Sequence, residues 1–231
     1  LGGSGENPWT PIGTAENPFK GTLGGNGHTV SGLHINDKVK DDQGLFGVNA
    51  GTIGNLTVAG SVTGKDNVGG IAGVNTESGV IKDCTSNVTV SGENNAGGIA
   101  GKNDGTITDC TNNGSVTGTG TGAGGIAGTN NGSLDNDTNT APVTGKDDIG
   151  GIAGTNGGNG TVEGCTNSGN VTVSGDGGST PGAVIGNNQN TNPDAVKDDY
   201  YQKTEEVNKD LTGIGEGTGS GTDPEGITSG Q

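Results

Sequence analysis

The sequence predicts an all-β chain wound as a three-sided parallel β-helix, with coils of about 26–28 residues. The first observation is a recurring tetrapeptide. GIAG begins at Gly70, Gly98, Gly125 and Gly151, with GLFG at Gly44 and AVIG at Ala183. The second is a set of three apolar columns inside these units. One holds Leu45, Ile71, Ile99, Ile126, Ile152 and Val184, and the next Ile53, Ile81, Ile107, Leu134 and Val162. The last holds Val62, Val116 and Val143, with Val88 or Val90 and Val171 or Val173 in the longer coils. The third observation is that 25% hydrophobic and 2% aromatic residues cannot fill a core of ordinary thickness, so the interior has to be thin. Fifty-three glycines in 231 residues would argue for disorder, but a fixed period argues for stacked coils instead.

Taken in order, residues 1–43 read as a cap and first coil. Val30, Leu33 and Ile35 alternate with polar residues, and Trp9 and Phe19 are available to close the end. Residues 44–202 hold the repeat coils. Residues 203–231, polar and glycine-rich beyond Tyr200 and Tyr201, read as an edge segment followed by a linker. Three apolar columns predict three short strands per coil, and a right-handed winding follows from the handedness of parallel crossovers. Nothing in the units has the i, i+3, i+4 spacing of a helical repeat.

Polar residues are in register too. Asn49, Asn75, Asn103, Asn130, Asn156 and Asn188 each lie two residues after the closing glycine of the tetrapeptide. Asparagine suits a left-handed corner, and stacked amides can bond coil to coil, so these six are expected to form a structural ladder. The glycine pairs before Ile71, Ile99, Ile126 and Ile152 allow a close backbone approach; no strand–glycine–helix context makes them phosphate loops. Cys84, Cys110 and Cys165 share a column with Leu56 and Asp137, which places it inside. Neighbouring Cys84 and Cys110 are close enough to bridge, but parallel in-register side chains make the dihedral awkward, so free stacked thiols are favoured. In the same coil as Asp137, Pro142 stands where Ser115 stands one coil earlier, and it is expected to delete a ladder donor. A buried Asp137 must turn outward, take a proton or find a ligand. Asp135 and Asp137 are therefore the candidate ligand or cation residues.

At this point the unit GGIAGxNxGTIxDCTNxGSVTG, drawn from Gly97–Gly118, resembles the GLUG repeat, named for its Gly-Leu-any-Gly signature, of bacterial surface and secreted proteins. The resemblance covers about Gly44 to Gly186. It implies an extracellular β-solenoid attached to adhesin-like proteins or large surface proteases, and it carries over no catalytic residue.

Composition narrows the function classes further. A net charge of −16, with ten lysines and no arginine, offers no basic track for a phosphate backbone, so nucleic acid is not an expected partner. No apolar run is long enough to cross a membrane as a helix, and the piece reads as cut from an exported precursor, monomeric on its own. Glycoside hydrolysis needs two carboxylates held across a groove, and most acids here, such as Asp66, Glu93, Asp147 and Asp148, sit at variable corners. His28 and His34 lack a third metal ligand, and the threonine column Thr85, Thr111, Thr138 and Thr166 raises a minor ice-binding alternative. The reading is a non-enzymatic extracellular or cell-surface rod with no cofactor, serving adhesion, spacing or presentation. Its expected partners are a host or neighbouring surface protein, or a glycan. The alternative is a β-helical carbohydrate-active or glycan-binding domain with its site on one face or in the amino-terminal loops.

Overall fold

The computed structural model describes residues 8–175, 179–203, 208, 210–216 and 224–227. Within them the chain forms strands and no helix, and every strand pair is parallel. The strands stack into two long sheets, of 16 and 11 strands, in a β-solenoid of about seven turns. At about 4.8 Å per coil the stack is a rod roughly 30 Å long.

One coil shows how the sequence makes the turn. It runs through Asn94–Gly97, Ala100–Asn103, Thr106–Thr108, Thr111–Asn112 and Val116–Gly118. The next coil repeats the pattern, with Ile107 beside Leu134 and Val116 beside Val143. The three predicted strands are thus divided into as many as five short ladders. Two positions per coil adopt left-handed backbone: the first bends the chain within a short strand, as at Asn95 in Asn94–Gly97, and from Asp83 onward the second separates two strands, as Asp109 does between Thr106–Thr108 and Thr111–Asn112. One corner row is Asn67, Asn95, Gly122 and Asp148, and the other is Asn55, Asp83, Asp109, Asn136, Gly164 and Asp198. Only residues that tolerate positive φ occupy these rows.

The glycine pair does different work. Neither Gly97 nor Gly98 has positive φ, but a Cβ on Gly97 would lie 1.9 Å from the Ala100 carbonyl oxygen. One on Gly98 would lie 2.2 Å from the Gly125 oxygen and 2.3 Å from the Asn112 side chain. Between these glycines and the following alanine, the Ile126 carbonyl accepts from both Ile99 N–H (3.0 Å) and Ala100 N–H (3.1 Å), a bulge that throws Ile99 inward.

All three apolar columns line the interior. Ile99, Ile107, Ile126, Leu134, Ile152 and Val162 are completely buried. In the third column the register selects Val90 and Val171, which pair with Val116 and Val143; Val173 is exposed. Two rows of smaller residues, Val68–Ala96–Ala123–Ile149 and Ala72–Ala100–Ala127–Ala153, complete the filling.

At the amino-terminal end, Thr22–Asn36 lies parallel to Thr52–Thr63, burying Leu33 and Ile35 against the core. Ile12 bridges to Phe46 and Phe19 to Asn49, with the Phe19 and Phe46 rings 4.9 Å apart at 51°. Past the last full coil, Thr212–Glu216 pairs with Gly182–Asn188, and Glu225–Ile227 with Tyr200–Gln202. The linker expected within 203–231, and the first seven residues of the expected cap, lie largely outside the described residues.

Candidate functional site

The recurring polar residues turn inward and bind coil to coil. From Asn49 to Asn188 each side-chain amide donates to the Oδ1 of the next: Asn49 to Asn75 at 2.8 Å, then 2.9 Å to Asn103, Asn130 and Asn156, and 3.0 Å to Asn188. Each amide also closes its own turn, as when Asn103 donates to Gly105 O and accepts from Gly105 N–H. Stacking therefore accounts for these asparagines, whereas the left-handed corner also expected of them falls on other residues.

A second ladder was not singled out in the sequence. Asn112 donates to Asn139, and Asn139 to Asn167, each at 2.9 Å, and the last donates to Ala183 O. Its signal is the recurring Thr-Asn pair directly after the cysteine column. Below Asn112 the row continues with Ser86, whose hydroxyl is buried without a partner.

The column holding the cysteines contains the chemistry. Its members are Leu56, Cys84, Cys110, Asp137, Cys165 and Asp199, each following a left-handed residue and buried to at least 96%. At such a corner the amide has no strand to donate to, and the side chain of the next coil receives it. Cys110 N–H donates to Asp137 Oδ1 at 2.8 Å, and Cys165 N–H to Asp199 Oδ1 at 2.7 Å. The Cys84 and Asp137 amides face the sulfurs of Cys110 and Cys165 in the same way. All three thiols are free and buried. Each Sγ also contacts the carbonyl two residues back, at 3.1 Å for Cys84 and 3.3 Å for Cys110. Hydrogen bonding with Cys84 and burial together push the Cys110 thiol well up, and burial does the same for Cys165.

Asp137 thus points inward, which rules out the outward turn among the three expected ways out, and its burial favours the protonated form. Burial raises its carboxyl well above the usual carboxylate range, and Oδ2 has no partner. Asp199 repeats the arrangement: burial raises it to about 7, opposed by the Cys165 amide, and its Oδ2 is likewise unpartnered. Asp135 lies on the strand Ser133–Asp135 next to inward Leu134, and the left-handed Asn136 turns the chain between it and Asp137. The two candidate ligands are therefore not brought to a common face. Among the described residues no three His, Cys, Asp or Glu side chains converge as a metal-binding group.

Pro142 corrects a second expectation. The aligned Ser115 and Asn170 use their carbonyls, which accept from Val90 and Val143, while among the described residues neither amide makes a backbone bond. Pro142 likewise accepts from Val116 N–H at 3.1 Å, so the proline removes no donor that the ladder uses. Of the two histidines, His28 is exposed and His34 Nδ1 lies 3.1 Å from Ser61 Oγ.

Residues 66–91 and 92–117 match the GLUG motif, so the chain contains a GLUG-repeat β-solenoid region. It is 37% identical over 146 residues to halomucin of Haloquadratum walsbyi; the match takes in 50% of this chain and 2% of halomucin's length. Among solved structures it resembles a provisionally assigned immunoglobulin A1 protease from Bacteroides ovatus. The TM-score is 0.68 at 20% identity, over 95% of this chain and 74% of that one. At that identity the likeness concerns the β-helical fold alone.

Proposed function

We propose that the chain is a non-enzymatic extracellular rod that spaces or presents neighbouring domains of a surface protein, in the service of adhesion. The observation that supports this reading is where the repeated polar chemistry goes. The asparagine ladders and the cysteine–aspartate column spend their hydrogen bonds between coils, which makes each coil a joint in a stiff stack. Similarity to halomucin and the GLUG-motif matches support an extracellular setting.

The test is an in-register deletion of Asn94–Gly120 in the surface-displayed parent protein, which removes one coil and places Glu93 before Thr121. The expected product is folded, shorter by about 4.8 Å, and as adhesive as the parent. Loss of attachment on replacing outward Thr111, Thr117, Thr138 and Thr144 by Asp, with the coil number unchanged, would assign binding to the faces and overturn the spacer reading. Release of reducing ends from a polysaccharide panel would overturn the non-enzymatic one.

A further inference from the structure

Where the amino-terminal segment crosses the first coils it leaves a cleft of 430 Å³ between residues 8–16 and residues 35–43. The cleft lies outside the solenoid's stacked interior and is built on fixed backbone. Trp9 N–H donates to His34 O at 2.9 Å, and its indole Nε1 donates to Leu45 O at 3.0 Å. Ile12 N–H donates to Leu45 O, and Gly47 N–H returns a bond to Ile12 O. Such a wall does not have to be ordered on binding.

Its lining has two chemistries. Pro8, Trp9, Pro11 and Ile35 supply apolar surface, and Glu16, Asp37, Asp41 and Asp42 supply carboxylates. Lys40, the one basic residue of the lining, is committed to Asp37 at 3.1 Å. Asp41 Oδ1 accepts from the Asp66 amide and Asp42 Oδ1 from Asn67 Nδ2, which leaves a second oxygen on each. Gln43, 94% buried, spends its amide nitrogen on Asp41 O, and its Oε1 is left without a bond in the cleft wall. Thr10, Thr14 and Asn36 add neutral groups that can donate or accept, so acceptors outnumber donors and the cleft is negatively charged, on a chain whose net charge is −16.

A ligand matching that list brings several donors, no acceptor, a positive charge and a flat or aliphatic body. Guanidinium and ammonium side chains meet all four conditions, and an indole wall attracts them further. We propose that this cleft docks a basic segment of a partner polypeptide, an arginine or lysine side chain lying along Trp9 with its head group between Asp41, Asp42 and Gln43. The site stands whether or not the coils act as a spacer. Its basis is charge complementarity and the unused acceptors, not the repeat.

Trp9 is the single tryptophan of the chain, so its fluorescence reports on this cleft alone. The whole chain is titrated with a tetra-arginine amide peptide and, separately, with its isosteric neutral tetra-citrulline counterpart. The expected result is a saturating fluorescence change with the arginine peptide only, weakened at least tenfold by Asp41→Asn with Asp42→Asn. Asparagine keeps the Oδ1 acceptor at both positions, so the double variant retains the bonds to Asp66 and Asn67. Circular dichroism of that variant checks its fold, and Trp9→Phe followed by calorimetry is the second arm, expected to weaken binding. Equal binding of the citrulline peptide, unchanged affinity in the double variant, or a Trp9 response confined to calcium ions or neutral saccharides would each overturn the proposal.

Discussion

The buried Asp199 gives this protein a pH dependence opposite to ordinary acid unfolding. Its carboxyl titrates near 7 in the folded chain because it is desolvated inside the solenoid, and near 3.9 once unfolded. Between those values the folded state holds a proton that the unfolded state has released, so stability falls as pH rises. The contribution is fully present below about pH 4 and lost by about pH 7. Roughly three pH units at 1.36 kcal/mol each amount to roughly 4 kcal/mol, an upper bound because the opened coil can also admit water. Asp199→Asn removes the titration while keeping an acceptor for the Cys165 amide, which Oδ1 now receives at 2.7 Å. The assay is denaturant unfolding followed by circular dichroism from pH 4 to pH 8, with exchange of the Cys165 amide reporting the local coil. The two proteins should match near pH 4, and the variant should gain steadily up to pH 7. Repulsion among the other carboxylates acts on both proteins alike, so the difference between them isolates the buried group. A constant difference across that range would refute the reasoning.

Further outcomes follow from the same rows. Asn103→Ala removes the link between Asn75 and Asn130 and strips Gly105 of its turn, and should destabilise by about 3–5 kcal/mol in denaturant unfolding. Gly98→Ala, which drives a Cβ into Gly125 O and Asn112, should destabilise by about 3 kcal/mol or more. Gly158→Ala, with nothing within 4 Å, should be neutral or stabilising by up to about 1 kcal/mol under the same assay. Asp137→Cys restores the sulfur of the neighbouring coils and should be tolerated at pH 7. Asp137→Leu leaves the Cys110 amide without its acceptor and should lose about 1–3 kcal/mol relative to it. Thiol titration should find no rapidly reacting cysteine in the folded chain and three after unfolding; a count of one would mean a disulfide.

The coil, its columns and its first ladder were legible in the sequence because each depends on one residue type recurring at one offset. Ile99 and Asn103 announce themselves this way. What stayed hidden depends on a relation between rows. Asp199 belongs to the cysteine column, but the insertion around Asn190–Asp194 puts it 34 residues past Cys165, outside the usual period. The cleft is invisible for a similar reason, since Trp9 and Gln43 meet only because the cap folds back over the first coils.

Asp137 shows how far a column's alphabet can mislead. Leucine and cysteine suggest a row chosen for hydrophobicity, against which an aspartate is a defect. The geometry gives a different rule: from Cys84 onward, the row supplies an acceptor to the corner amide of the coil before it, and sulfur or carboxyl oxygen will serve. Leu56 stands where that demand lapses, because the register between Thr22–Asn36 and Thr52–Thr63 slips from Gly24 to His28 and breaks the row below it. A protonated aspartate is then an ordinary member of the row at low pH and a strained one at high pH. The coil that departs most from the repeat in sequence keeps its hydrogen bonding, and changes only how the stack responds to protons.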